Sequence, residues 1–436
     1  MKKYLILAAL VLVLAPAAYA QDMIREGELV TLERAVEIGL KMHPSVLASR
    51  GTVDVNRARK GQAESAYYPQ IDASAGYTRF QPSTISTGTT TVGIRRVQES
   101  NSFEQYNTGI SARQTIFDFG KTSTNVRIQK LNIEASHSDL ANTEEQVILN
   151  VKQAYYNLLR AKRTRVVAEE TIKQFEQHIA QAKAFYEVGT KPKFDVTKAE
   201  VDLSTARLSQ ISAENAVRIA WVSLNNAMGV SDAPEYVIED NLSFEKYEIS
   251  LTAALDNAYA NRPELRSIMA KRKASEEAIS LARKGYFPFL SGNADWTWAG
   301  EGGDFATGDG WNAGVTLSIP IFSGFLTKNQ VSEAKANLVI LTANEESLRQ
   351  TVLLEVQQDL LNLREAEERI STAELTVRQA QENYEIANGR YAAGVGNPIE
   401  VTDAEVALAN AKTSYIQALY DYKVSRASLE KAMGVR

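Results

Sequence analysis

The chain has 436 residues with no cysteine, 10 prolines and 24 glycines, and a formal net charge of −5. The missing cysteine excludes disulfides, thiolate metal sites, thiol catalysis and lipidation at an N-terminal cysteine. The acidic balance argues against a nucleic-acid surface, and so few breaking residues predict long uninterrupted elements.

The first predicted element is a leader. MKKYLILAALVLVLAPAAYA (1–20) places Lys2 and Lys3 ahead of an apolar run from Leu5 to Leu14 and ends on the small residues Ala18 and Ala20. That is the pattern of a secretory signal peptide, too short to span a membrane. The mature chain is therefore expected to begin near Gln21, outside the cytoplasm, with a charge of −7 once Lys2 and Lys3 are lost. No later run of about 18 apolar residues occurs, so no transmembrane helix is expected.

After TLERAVEIGLKMHPSV (31–46), a charged helical stretch meets Pro69 and the pattern changes. In YYPQIDASAGYT (67–78), Ile71, Ala73, Ala75 and Tyr77 alternate with Asp72, Ser74, Gly76 and Thr78, which predicts a strand over 69–80. A second strand, over 107–118, is less regular because Gln114 falls among Ile110, Ala112 and Ile116. Each run is about 10 residues, the length a tilted membrane strand needs. A soluble sheet lying on helices would alternate as well.

From Gly120 to Glu187 nothing breaks a helix, so one helix is predicted over 120–188, on the order of 100 Å long. Every seventh residue from Val126 through Ile133, Leu140, Val147, Ala154, Ala161, Ala168, Phe175 and Ala182 is apolar, a coiled-coil seam. The next helix, over 194–229, carries alanines at 199, 206, 213, 220 and 227, flanked by Val196, Leu203, Gln210, Val217 and Leu224. Alanine seams let backbones approach closely, so these helices require near neighbours. Periodicity alone favours a plain helical bundle, but strands that interrupt the helices have no place in one.

The remainder of the chain repeats this order. SLTAALDNAYANRPEL (250–265) aligns with 31–46 at a spacing of 219, which also sets Pro288 on Pro69. The spacing then becomes 205: IFSGF at Ile321 follows IFDFG at Ile116, YAAGVGNPIEV at Tyr391 follows YEVGTKPKFDV at Tyr186, and AMG recurs at Ala432. Landmarks in constant order with one change of offset predict two structural repeats, 21–240 and 241–436. The 14 missing residues fall in one loop, about 80–106 in the first repeat and about 299–310 in the second. The second repeat carries predicted strands over 288–299 and 311–322 and helices over 324–391 and 398–434. In its strands, Leu290, Ala294, Trp296 and Trp298 alternate with Ser291, Asn293, Asp295 and Thr297. Trp311, Ala313, Val315, Leu317, Ile319 and Ile321 alternate with Asn312, Gly314, Thr316 and Ser318. Tyr77, Trp296, Trp298 and Trp311 are the candidate membrane-interface aromatics. Four strands cannot close a barrel, and an open edge in lipid is forbidden, so other subunits must pair the edges.

Leader, duplicated halves, the Tyr-Tyr-Pro and Tyr-Phe-Pro steps into strands, the paired IFDFG and IFSGF, and the paired turns VGTKPKFDV and AGVGNPIEV together resemble the TolC-like outer-membrane efflux protein family over nearly the whole mature chain. The resemblance implies a mainly α fold with a membrane β-barrel portion: a homotrimer whose four strands per chain make a 12-stranded barrel surrounded by outer-membrane lipid, continued by an α-barrel across the periplasm. Its implied partners are a periplasmic adaptor and an inner-membrane efflux pump or ABC transporter, and its implied work is multidrug efflux or type I secretion, without catalysis or cofactor.

The family's entrance carboxylates match Asp195, Glu400 and Asp403, which tripled around an axis would give negative rings that attract cations. Asp195 and Glu400 equally suit the first turn of a helix. Tyr391 matches the family's gate tyrosine, while Gly396 stands where the gate arginine belongs, with Lys191 or Lys193 as possible substitutes. The turn residues Gly189, Thr190, Lys191, Gly394, Val395 and Gly396 are the implied adaptor contacts. A structural tether that does not conduct is the alternative function.

Other signals carry little. His43, His137 and His178 lack ligand spacing and are expected to pack or to face solvent. GVGNPI lacks the third glycine of a dinucleotide loop, and Asp304 and Asp309 lie in a glycine-rich loop that needs no calcium to explain it. No nucleophile, base and orienter set is recognisable, so neither an enzyme nor a metal site is expected.

Overall fold

The computed structural model describes residues 24–81, 102–231, 233–301 and 308–435. The predicted signal peptide, most of the 80–106 loop and Asp304 lie outside them.

The first half runs β1 (Leu29–Val30), α1 (Leu32–Met42), α2 (Pro44–Glu64), a 3-10 turn (Ser65–Tyr67), β2 (Gln70–Phe80), β3 (Phe103–Phe117), α3 (Lys121–Glu187) and α4 (Lys193–Met228). The second runs β4 (Val237–Ile238), α5 (Leu251–Asn261), α6 (Pro263–Arg283), a 3-10 turn (Lys284–Tyr286), β5 (Phe289–Glu301), β6 (Gly308–Ser318), α7 (Leu326–Ala392) and α8 (Pro398–Ala432). Both long helices, α3 and α7, have 67 residues.

Local chemistry sets the boundaries in the same way twice. The Thr31 hydroxyl accepts from the Arg34 amide and the Ser250 hydroxyl from the Ala253 amide, each at 3.2 Å, starting α1 and α5. Pro44 and Pro263 end those helices, because the residue before a proline is pushed out of helical conformation. Gly229 ends α4 with φ of +72°, and a Cβ there would lie 2.7 Å from the His43 Cα, so only glycine lets α4 meet the α1–α2 corner. Between strand and long helix, Phe119 and Gly120 in one repeat and Gly324 and Phe325 in the other are left-handed. The glycine changes place while the two-residue corner is kept.

One compact unit comprises the described residues of Met1–Gly51, Ser138–Leu265 and Ser347–Arg436. Its core joins the seams of α3, α4, α7 and α8 with α1, α5 and the parallel pair β1–β4. Val147, Ala161, Phe175 and Ala182 of the α3 seam are buried, as are Ala199, Ala206, Ala213 and Ala220 of α4 and Ala404, Ala411, Ala418 and Ala432 of α8. Buried Tyr155 fastens β1 to the β4 region, its hydroxyl lying 3.1 Å from the Val30 carbonyl and 2.9 Å from that of Glu239.

The other unit comprises the described residues of Thr52–His137 and Arg266–Glu346 and holds one antiparallel sheet in the order β2-β3-β5-β6. The hairpins run in register from Gln70 opposite Arg113 to Phe80 opposite Phe103, and from Phe289 opposite Ser318 to Ala299 opposite Gly308. Adjacent β3 and β5 join them, with a bulge between Thr115 and Phe117. Gln114, the irregular residue of β3, donates to the Tyr67 carbonyl at 3.1 Å and so ties the strand to the 3-10 turn that precedes β2. The fourth strand stops at Ser318 rather than reaching 322, because Pro320 has no amide to donate to a ladder. Ile319 and Ile321 therefore leave the strand face on which the sequence pattern put them.

Every residue of β2 is exposed, and so is β6 as far as Leu317. A sheet resting on helices would bury one of its faces, so that alternative is not what this chain builds. Trp296 pairs directly with Ile110 on one side and Trp311 on the other, and stacks on Trp298 with ring centroids 5.8 Å apart. Tyr77 pairs with Tyr106, ring centroids 5.2 Å apart.

Candidate functional site at the helix-to-helix turns

The chain reverses between α3 and α4 and again between α7 and α8. In both turns a left-handed glycine closes the long helix: Gly189 has φ of +74° and Gly394 +77°. The amide of Gly189 donates to the Tyr186 carbonyl and that of Gly394 to the Tyr391 carbonyl, both at 2.9 Å. The next amides, of Thr190 and Val395, reach back to Phe185 and Arg390 at 3.0 and 3.1 Å. These are orphan carbonyls at a helix C-terminus satisfied by the turn itself. Pro398 then starts α8 behind Asn397, whose side chain accepts from the Ile399 amide at 3.0 Å.

The side chains brought together here belong to both repeats. Tyr391 is fully buried with Ala387, Val401 and Ala404, and Phe185 meets it edge-on at 5.6 Å between centroids. His178 of α3, 3% exposed, lies 5.0 Å from the same ring. Lys191, from the first turn, donates to the Gly396 carbonyl in the second at 3.2 Å and stands 5.6 Å over the Tyr391 ring. Lys191 thus fastens one turn to the other across the tyrosine. Gly396 could not be an arginine in this arrangement: a Cβ there would sit 2.6 Å from the Tyr391 nitrogen. Lys193, the other possible substitute, is exposed at the start of α4.

The three carboxylates singled out from the sequence are in different surroundings. Asp195, in the first turn of α4, is 4% exposed and its charge bears on both Tyr391 and His178. Glu400, in the first turn of α8, faces the Arg390 guanidinium at 3.9 Å and is half exposed. Asp403 is exposed.

A fourth acid, which no sequence motif marks, is the most enclosed. Glu405 of α8 is 1% exposed, and neither carboxylate oxygen has a hydrogen-bond partner among the described residues. Burial, and then the Asp202 charge, push its carboxyl up to about 8. Asp202 itself accepts from Lys198 at 2.5 and 2.7 Å and from the Thr402 hydroxyl at 3.0 Å. Burial lowers the His178 imidazole, with the Asp202 and Asp195 charges opposing. A groove of about 310 Å³ between α3, α4 and α8, lined by Phe175, Asp202, Ser209, Val406 and Asn410 among others, opens beside this cluster. Among the described residues no group of three or more acidic or histidine side chains is arranged to hold a metal ion.

Duplicated long helices, one strand hairpin per repeat and paired turns closing on a buried tyrosine define the fold of an outer-membrane channel. The crystal structure of the Campylobacter jejuni CmeC outer membrane channel superimposes with a TM-score of 0.77 over 92% of this chain and 85% of that one, at 21% identity. The chain belongs to the outer membrane efflux protein family, which residues 36–230 and 254–435 match. It is similar to the outer membrane protein TolC of Escherichia coli, 23% identical over 90% of this chain and 80% of the relative. It is similar also to the toluene efflux pump outer membrane protein TtgC of Pseudomonas putida, 23% identical over 92% and 82%. The protein is accordingly an outer-membrane efflux channel that extends into the periplasm, from a family that transports rather than catalyses.

Proposed function

We propose that three copies of this chain form one continuous duct through which an inner-membrane transporter, joined by a periplasmic adaptor, exports small molecules directly to the outside. The observation that carries this reading is the four-stranded sheet whose outer strands β2 and β6 are exposed and, among the described residues, pair on one side only. Edges in lipid must be paired, and three such sheets joined edge to edge give 12 strands, enough to enclose a wet lumen. Asp72, Ser74, Asn293 and Thr316 belong to the lumen face, while Tyr77, Trp296, Trp298 and Trp311 meet the lipid and its interface. The name of the relative TtgC supports small-molecule efflux over type I secretion of proteins.

The helix-to-helix turns form the periplasmic entrance. Tyr391, Lys191 and the Gly396 carbonyl hold it shut, Asp195, Glu400 and Asp403 give it negative charge, and Gly189, Thr190, Gly394 and Val395 meet the adaptor. Conductance of the purified protein in a planar bilayer, with its subunit count, tests the reading. A conducting trimer is expected, and Asp195→Ala combined with Glu400→Ala should raise its conductance at low voltage. A protein of any subunit count that inserts and never conducts would instead be a tether.

A further inference from the structure

Glu405 has a counterpart that behaves as an ordinary acid. At the spacing of 205 it corresponds to Glu200 of α4, which is exposed and faces Lys183 of α3 at 3.4 Å. The second repeat has Asn388 where Lys183 stands, and its glutamate has turned inward. An isolated buried carboxylate is costly unless it is neutral, so this site selects the protonated acid.

Resting on the reading of these turns as a channel entrance, we propose that Glu405 is a proton-binding latch: while it is neutral α8 stays packed in the turn cluster and the entrance is shut, and when it ionises the packing loosens and the entrance opens. The groups that face the cluster are His178 from α3, Asp195, Lys198 and Asp202 from α4, Tyr384 and Tyr391 from α7, and Thr402 on α8 itself. Lys198 is already engaged by Asp202, so an ionised Glu405 meets a second carboxylate. The groove that Asp202 and Val406 line gives it a place to hydrate once α8 shifts.

The sign follows from which state holds the proton more tightly. Packed Glu405 titrates at about 8 against an ordinary value of 4.5, so packing is undisturbed below about 4.5, weakens as pH rises and levels off beyond about 8. His178 acts oppositely: burial lowers it from its ordinary 6.5, so packing also weakens as pH falls below that value. Just below 6.5 the two slopes oppose each other. Opening therefore rises between about pH 6.5 and about 8, by up to about ten-fold per unit for each subunit.

The test uses the full-length protein in planar bilayers from about pH 6.5 to about 8.5, wild type beside Glu405→Gln, with infrared spectra of both for the protonated carboxyl band. A wild-type open fraction that climbs at least about ten-fold over this range, a Glu405→Gln variant that stays low and flat, and a carboxyl band that titrates near 8 in the wild type and is missing from the variant are expected. A variant that keeps the pH rise, or a wild type with no protonated carboxyl at about pH 6.5, would overturn the latch. Absence of conductance in both proteins at every pH would overturn the duct instead, and the infrared band still reports whether Glu405 holds its proton.

Discussion

The two helix-to-helix turns share a backbone and differ in what lies beneath it. In the first, Tyr186 is exposed, Glu200 faces Lys183 in solvent, and a side chain at Gly189 would meet nothing within 4 Å. In the second, Tyr391 is fully buried, Glu405 has no hydrogen-bond partner among the described residues, and Gly396, which stands where the first turn has Lys191, has no room for a Cβ, although Gly394, the match of Gly189, does. Duplication supplied the frame, and the copies then buried different polar residues: Tyr391 and Glu405 in the second, but Asp195 in the first, where its match Glu400 is half exposed. The first turn contributes Lys191, which reaches across to the second. The proposed gate is asymmetric within each chain, so a perturbation of one turn need not resemble the same perturbation of the other.

Truncating the two tyrosines separates the turns most. Tyr391→Ala should cost about 3 to 5 kcal/mol, as for other buried aromatics, whereas Tyr186→Ala should stay within about 0.5. Thermal unfolding of the detergent-solubilised protein reads both, and equal shifts would break the comparison. Next come the glycines. Gly396→Ala forces a backbone contact apart for about 2 kcal/mol, while Gly189→Ala carries only the left-handed backbone strain, about 1. A larger shift for Gly189→Ala in the same experiment would mean that the second turn is looser than its geometry indicates. Smallest is the lysine pair: Lys191→Ala removes a charged hydrogen bond and a ring contact, about 1 kcal/mol, and Lys183→Ala removes a solvent-exposed ion pair, under about 0.5. Only the first of these should also raise bilayer conductance.

Much of the frame could be read from the sequence because it is written in repeats. The 205-residue offset between IFDFG and IFSGF relates both ends of α3 to those of α7, and heptad alanines marked the faces that pack. The turns were legible through their glycines and through Pro192 and Pro398. The enclosed acid was not. Glu405 directly follows seam residue Ala404, but periodicity on one helix does not say that Asp202 and Tyr384 will close over it. The one sequence-level hint was a difference between repeats, Asn388 where Lys183 pairs with Glu200. For His178 the sequence suggests no more than packing or solvent exposure, because its partner, Tyr391, lies 213 residues away. At the end of β6 alternation persists past Pro320, where the ladder cannot, so the pattern outlasts the strand.

In the proposed trimer, further copies of the chain complete the outer edges of β2 and β6. Because the protein has no cysteine, a scan of cysteine pairs, one at Asp72, Ser74 or Gly76 of β2 and one at Asn312, Gly314 or Thr316 of β6, can be oxidised in membranes without background. At least one pair should give a covalent ladder ending at three chains. A scan in which every pair stays monomeric, or a ladder that runs past three, would contradict it.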